Sequence, residues 1–378
     1  MQKNKKTSTV RNVLALSLIS GLGTKRIKSL IQAFPDADRI FDLSKTELRS
    51  VEGIGEASAL NILSFKNWEK VDEILSITKS IKAEILTIAD PAYPSLLKQI
   101  YDPPAVIWYK GNVGALSKKG VAVIGTRNTT AYGRKMGKKL ATELAENGWC
   151  INSGLAYGID AIAHQAAVDS KSETVAVLGS GIDNLYPAAH ADLANQIIKT
   201  GGVVITEFPP GTKPDAGNFP VRNRIVSGLS YGVLVVESGV QGGSIITADL
   251  ALDQNREVFA VPHSLENVSG SGCNYLIKTG VAKLVQTVDD ILEELPTEEF
   301  YFKEEPNEIV EEAPPGWRES NLDELSQKIC ALLETEDHQI DDIADKLEVS
   351  TSKLLVAMLQ LEMQGFVLQK AGKNFSLL

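Results

Sequence analysis

The sequence predicts an α/β protein built on a doubly wound parallel sheet, with a small helical domain before it and a three-helix domain with a β-hairpin after it. Three observations carry this. Six short, β-branched apolar runs at 121–125, 149–153, 175–179, 203–207, 233–237 and 258–261 alternate with helical stretches such as 133–147, 159–168 and 245–254. A Gly-apolar-Gly turn, Gly21-Leu22-Gly23, recurs 32 positions later as Gly53-Ile54-Gly55. An acidic, proline-containing stretch then precedes three amphipathic segments and a turn at Ala371-Gly372-Lys373-Asn374.

The first region, 1–66, reads as tandem helix-hairpin-helix-like motifs. The hairpin glycines permit tight turns and expose N–H groups at the start of the next helix, where a phosphate oxygen can sit. Lys25 and Arg26 follow the first hairpin and are accessory candidates for DNA contact, whereas Glu56 after the second repels phosphate. A helical bundle without any DNA contact is the alternative. The apolar stretch 13–19 is too short for a membrane span and lacks a cleavage pattern, so it reads as a helix and not a signal peptide. A connector, 67–99, leads to the Rossmann-like core, 100–295. Alternating strands and helices imply a sheet covered on both faces, with any ligand in the crevice beyond the strands' carboxyl ends.

After the core comes the linker, 296–318. Between Asp289 and Glu312 eleven acids face one base, Lys303, so this segment carries the whole of the chain's formal net charge of −10. The rest is formally neutral and can hold a basic patch, and Lys118, Lys119, Arg127, Arg134, Lys135, Lys138 and Lys139 supply one. Clustering on one face matters more for phosphate binding than the total charge does. The last region, 319–378, has the winged-helix plan. Its third helix, from Ser350, carries Lys353 as its one base, which favours a structural or protein-contact role over DNA reading. The three cysteines, Cys150, Cys273 and Cys330, are scattered, as are the four histidines, so no disulfide framework or metal site is indicated, and a cytoplasmic home is expected.

Four core strands run into glycine-rich loops: 125–133, 153–160, 179–183 and 237–244. Glycine lets a ligand approach the backbone, and helix N-termini present oriented N–H donors. Four such loops at successive strand ends point to a phosphate-binding crevice more than to tight turns alone. Gly125, Arg127, Ser153, Gly154, Gly158, Gly179 and Ser244 are its candidate residues. Between the fourth and fifth of the six expected strands, Phe219-Pro220-Val221-Arg222-Asn223-Arg224 opens a helix. Arg222 and Arg224 point about 200° apart on it, so one faces phosphates and the other the protein's own carboxylates; the sequence leaves open which. Asn223 lies between them. Phe219 either stacks on a base or packs in the core. No dinucleotide fingerprint, P-loop, GxSxG or HExxH motif occurs, and no catalytic residue, cofactor or metal is implied. Glu237 and Asp183 are the acids best placed for chemistry, but strand-end acids tied to backbone N–H groups are the simpler reading.

In order along the chain, Val123-Ile124-Gly125-Thr126-Arg127, Ser153-Gly154-Leu155-Ala156-Tyr157-Gly158, Tyr186-Pro187, Phe219-Pro220-Val221-Arg222-Asn223-Arg224 and Gly272-Cys273-Asn274-Tyr275 resemble the DNA-processing protein A family over about residues 90–285. The resemblance implies an extended Rossmann fold, a homodimer, binding of single-stranded DNA, and loading of the RecA recombinase during natural transformation (competence). It makes Arg127 the leading DNA contact. The chain departs from the family pattern after Tyr186-Pro187, where Ala188-Ala189-His190 replaces a stretch that often holds a lysine, and at His263, where glycine is usual. Two competing readings are a nucleotide-hydrolysing enzyme of the lysine-decarboxylase-like group, whose Pro-Gly-Gly-x-Gly-Thr-x-x-Glu loop is incomplete here, and a nucleotide-sensing Rossmann module.

Overall fold

The computed structural model describes residues 2–296, 316–319, 322–370 and 374–377. The chain forms two compact units that divide after Pro296. The acidic linker expected at 296–318 lies, but for Pro296 and 316–318, outside the described residues.

In the first unit the helical region contains α1 (Gln2–Ser17), α2 (Thr24–Ala33), α3 (Lys45–Arg49), α4 (Glu56–Leu63) and α5 (Trp68–Ser80). Gly21 and Gly53 both sit at φ +77°, the left-handed conformation that lets each hairpin reverse. The region is not a detached bead. Val13, Leu14 and Leu16 of α1 are fully buried in one apolar core with Leu86, Ile107 and Trp108, and the Trp108 indole donates to Thr78 Oγ1 of α5 at 3.1 Å.

The sheet has nine strands: β1 (Glu84–Thr87), β2 (Val106–Gly111), β3 (Gly120–Gly125), β4 (Cys150–Ser153), β5 (Thr174–Val177), β6 (Val203–Thr206), β7 (Gly232–Glu237), β8 (Glu257–Ala260) and β9 (Lys283–Leu284). Their order is β1-β2-β6-β5-β4-β3-β7-β8-β9. All six expected strands are present and parallel. The additional β1 and β2 pair antiparallel on the β6 side. The stretch expected as a connector thus supplies α5, an edge strand of the sheet and helix α6 (Ser95–Gln99).

Side chains alternate along each strand. Val121 and Val123 enter one apolar layer with α7 (Ala131–Glu146) and α8 (Ile159–Asp169). Ala122 and Ile124 enter the other, with α10 (Asn218–Gly228), α11 (Gly243–Asp253) and α12 (Ser271–Lys278). Helix α9 (Ala191–Lys199) packs on Ala176, Leu178 and Val204, and α13 (Asp289–Leu292) buries Ile291 beside α7. Because both faces are covered, the strands read as continuous apolar runs.

The chain leaves β3 toward β4, β5 and β6, then returns to place β7 on the other side of β3. The helix after β3 covers one face and the helix after β7 covers the opposite one. A topological switch point therefore lies between β3 and β7, and the loops at their carboxyl ends diverge to open a crevice.

The second unit has α14 (Glu324–Leu333), β10 (His338–Gln339), α15 (Ile340–Leu347), α16 (Thr351–Met363), β11 (Val367–Lys370) and β12 (Asn374–Leu377), with strand order β10-β12-β11. Asp323 caps α14 by accepting from Ser326 N at 2.7 Å. Ile329, Ile343, Leu354, Met358, Leu361 and Phe375 close a small core. This is the winged-helix plan, with the short strand β10 added to the expected hairpin.

Candidate nucleic-acid interface

The crevice at the switch point encloses about 340 Å³. Its walls come from four places: Gly125 to Arg127 after β3, Ala156 and Asp160 after β4, Phe219 to Asn223 at the start of α10, and Ser238 to Thr247 through the start of α11.

Helices α10 and α11 begin at this crevice, and neither has a side chain capping its N-terminus. At α11 the N–H groups of Gly243 and Ser244 are left for a ligand, whereas at α10 Gly217 N donates to Asp215 Oδ1 at 2.8 Å, Asn218 N donates to Asp215 O and Pro220 has no N–H, so that end offers chiefly the Phe219 N–H. Helix α7 differs. Thr130 Oγ1 accepts from Gly133 N at 3.1 Å, and the buried Glu237 carboxylate accepts from Thr130 N at 2.9 Å. The protein closes that helix end with its own anion. Asp183 likewise accepts from Gly211 N at 2.9 and 3.0 Å. Both candidate acids are thus tied to backbone donors.

Arg127 stands exposed on the rim, its Cζ 5.1 Å from the Phe219 ring centroid. Among the described residues no carboxylate pairs with it. Phe219 is half-buried: its ring packs against Gly179, where an added Cβ would lie 2.9 Å from Cδ1, and its centroid is 5.9 Å from that of Tyr186. The ring supports Arg127 while part of it stays open.

The two arginines of α10 divide as their angular separation requires. Arg222 is buried under the crevice floor. Its Nη1 donates to Gly154 O at 2.5 Å and to Val177 O, and its Nε to Asn223 Oδ1 at 3.2 Å. A Cβ at position 154 would fall on this guanidinium, so only glycine admits it. Asp160 lies close by and accepts from Gly154 N at 3.1 Å and Ala156 N at 3.3 Å. Burial raises the Asp160 carboxyl, against Arg222 and these donors. Burial also lowers Arg222, with Asp160 opposing and Arg127 adding to the shift. Arg224 points elsewhere. It donates to both Glu207 oxygens at 2.8 and 2.6 Å and to Asp102 Oδ2 at 2.9 Å. Burial alone would lower Arg224, but the two carboxylates outweigh it and the guanidinium is raised. Arg224 does not line the crevice and is the one of the two that meets the protein's own carboxylates, while Arg222, expected then to face phosphates, spends its donors on Gly154 O, Val177 O and Asn223.

The glycine-rich loops also need correction. Added Cβ atoms at Gly125 and Gly158 would collide with Ile159 and with the Thr126 carbonyl. These glycines, with Gly154 and Gly179, let the loops pack on one another instead of cradling an anion. Only Gly125 among the four lines the crevice. Ser153 is buried and donates to Val123 O at 2.7 Å. Ser244 does face the crevice and donates to Ser238 Oγ at 2.6 Å. Gly243 has open space where a side chain would be, so close approach remains available at the start of α11. Lys25 lies over the exposed Tyr101 ring at 4.6 Å, and Arg26 donates to Gly21 O at 2.5 Å within its own hairpin; neither lines the crevice.

The expected basic cluster splits. Lys118 and Lys119 precede β3 while Arg127 follows it, about 20 Å away at about 3.3 Å per residue. Lys118 pairs with Glu173 at 3.6 Å. Tyr157 and Tyr186 were not among the expected site residues. Both rings are exposed, in the loops after β4 and β5. The signal available was an aromatic inside a glycine-rich strand-end loop, where no core position is expected. His190 donates Nδ1–H to Leu155 O at 2.8 Å and meets the Tyr157 ring edge-on at 5.0 Å.

Fold and site together define a doubly wound α/β protein whose ligand crevice is cationic, rimmed by aromatics and open to the N-terminus of α11. The sequence matches the family described as DNA recombination-mediator protein A over residues 84–296, a DprA winged helix domain over 312–373 and a SAM-like helix-hairpin-helix tandem over 13–65. It is 39% identical to the DNA processing protein DprA of Bacillus subtilis, over 73% of this chain and 93% of that protein. The solved structure of DNA processing protein A from Streptococcus pneumoniae matches 76% of this chain and 98% of that one, at 34% identity and a TM-score of 0.66. A structure of DNA processing protein A from Helicobacter pylori, described for its single-stranded DNA binding mode, matches 56% of this chain and 94% of that one, at 29% identity and a TM-score of 0.51. The chain belongs to the DNA recombination-mediator protein A family. Among the described residues no helix is long and apolar enough to cross a membrane, and no cluster of His, Cys, Asp or Glu is placed to hold a metal.

Proposed function

We propose that this chain binds single-stranded DNA in the switch-point crevice and, without catalysing a reaction itself, hands that DNA to the RecA recombinase during natural transformation. One observation carries the reading: Arg127, with no carboxylate partner among the described residues and stacked on Phe219, lines the same crevice as the uncapped N-terminus of α11. Phosphates meet the cation and the N–H donors, while bases meet the Phe219, Tyr186 and Tyr157 rings. None of these groups reads base edges, so binding is sequence-tolerant. The binding mode reported for the Helicobacter pylori relative supports the same ligand class.

A homodimer working in the cytoplasm belongs to the same proposal. In the winged helix, α16 shows Leu355, Leu359 and Met363 to solvent, with Lys353 as its one base. This suits a protein contact better than a phosphate backbone.

The test has three arms. Labelled oligothymidine should bind more tightly than duplex of matched length in a gel shift. RecA should assemble faster on strands already coated by a single-strand-binding protein when this chain is added. Nucleoside monophosphates should release no free base on incubation with it. Equal duplex affinity refutes the ligand class, an unchanged assembly rate refutes the loading role, and released base restores the hydrolase reading.

A further inference from the structure

A second charged surface lies along the helix that follows the crevice's first loop. The loop that carries Arg127 runs through Thr130 directly into α7. There Arg134 Nη1 donates to Thr129 O at 2.6 Å, which holds that guanidinium beside the loop. One side of α7 is buried through Gly133, Gly137, Leu140, Ala141 and Leu144. The other side shows solvent two adjacent stripes, Arg134 with Lys138 and Lys135 with Lys139.

The charge on these stripes is ordered. Arg134, Lys135 and Lys138 have no carboxylate in ion-pair reach among the described residues. Lys139 shares its charge with Glu143 at 3.9 Å, and the helix ends on the exposed Glu146. The sign of the surface changes after about two turns, so the positive part is bounded at its far end, while at its near end the Arg134 bond to Thr129 O sets it beside the loop that carries Arg127. Arg134 and Lys135 also lie near the helix N-terminus, where the dipole disfavours cations. Local helix stability therefore does not explain them, whereas an anionic ligand running along the helix does.

We propose that this face of α7 is a phosphate track for the segment of single strand that leaves the crevice over Arg127. The proposal rests on the crevice reading and extends it. From Thr130 to Lys138 the helix advances about 12 Å at about 1.5 Å per residue, room for roughly two phosphate contacts beyond the crevice. Beyond the exposed Tyr132 at its start, the track consists of flexible side-chain cations, so it holds backbone and adds no base-edge readout.

The test is a length comparison. Labelled oligothymidines of about 6 and about 20 nucleotides are titrated by fluorescence anisotropy, over a salt series, with the full wild-type chain and with Lys135→Gln/Lys138→Gln. Both lysines are exposed and make no packing contact whose loss would unfold the helix. On the long strand the double variant should lose roughly tenfold in affinity. Its log–log salt slope should become shallower by about 1.4, at about 0.7 for each phosphate no longer neutralised. On the short strand both quantities should match the wild type. An unchanged long-strand slope overturns the track, and so does an equal loss on both lengths, which would indicate only a general field. Arg127→Ala on the short strand keeps the two readings apart. A loss there without a length-specific lysine effect sinks the track and leaves the crevice standing. Failure of the wild type to bind either strand sinks both.

Discussion

Replacing Arg224 with alanine should unfold the protein more readily without touching its ligand site. The magnitude follows from where its three hydrogen bonds to carboxylates go. Glu207 receives two of them and is only 12% exposed, whereas Asp102 receives one and is 45% exposed. After the substitution Asp102 returns to water, but Glu207 stays buried without its partner. Stranding one member of a buried ion pair costs about 3–5 kcal/mol. The cost depends on pH. Burial already raises the Glu207 carboxyl above its ordinary value, with Arg224 holding it down; removing Arg224 raises it further. A carboxyl raised in the folded state carries no penalty below its unfolded pKa, about 4.3. The penalty grows as pH rises from there through the folded value. The gap between wild type and Arg224→Ala should therefore be widest near neutrality and shrink toward pH 4.5. Urea melts of the full chain by circular dichroism, reading the transition of the larger unit, measure it at both pH values. The folded variant should keep single-strand affinity within a few fold. A loss under about 1 kcal/mol, a gap independent of pH, or abolished binding by folded Arg224→Ala would refute this division between the two arginines.

Other substitutions probe the remaining walls. Gly154→Ala places a methyl on the Arg222 guanidinium; we expect about 1–3 kcal/mol of destabilisation from overpacking, seen in the same melts, together with weaker single-strand binding. Phe219→Leu keeps bulk against Gly179 but removes the ring face, so anisotropy should show about 1–3 kcal/mol of lost affinity with a near-normal melt. A chain ended after Pro296 keeps the buried Leu295 and should bind single strands within about tenfold, roughly 1.4 kcal/mol, measured side by side with the full chain. A hundredfold loss by a monodisperse, folded truncation would make the winged helix a DNA-binding element.

The six central strands were legible because strands buried on both faces leave uninterrupted runs such as Val121–Ile124. The antiparallel strands β1 and β2 were not. Glu84–Thr87 is four residues long and begins on a charge, and its partner lies about twenty residues on across a helix and four prolines. Two-residue strands such as β9 and β10 leave no period to read. In the site, Arg127 was legible from its place at the end of the first core strand. The angular split of Arg222 and Arg224 was legible too, but its direction was not. Arg222 meets the carbonyls of Gly154 and Val177, and Arg224 meets Asp102 and Glu207. These partners are far away in sequence and are brought near only by the sheet. The glycines misled for the same reason. Composition marks a place where the backbone is approached closely, and only the fold shows that the approaching atoms belong to Ile159, Phe219 and Arg222.

The central claim is that Arg127 holds single-stranded DNA at the switch point, and fluorescence anisotropy on one labelled oligothymidine and its matched duplex tests it most directly. The wild type should prefer the single strand and weaken as salt rises. Arg127→Ala should lose about 1–3 kcal/mol of that affinity, the range for a charge-assisted contact, with an unchanged melt. Undiminished binding by the folded variant, or equal affinity of the wild type for the duplex, would contradict the account.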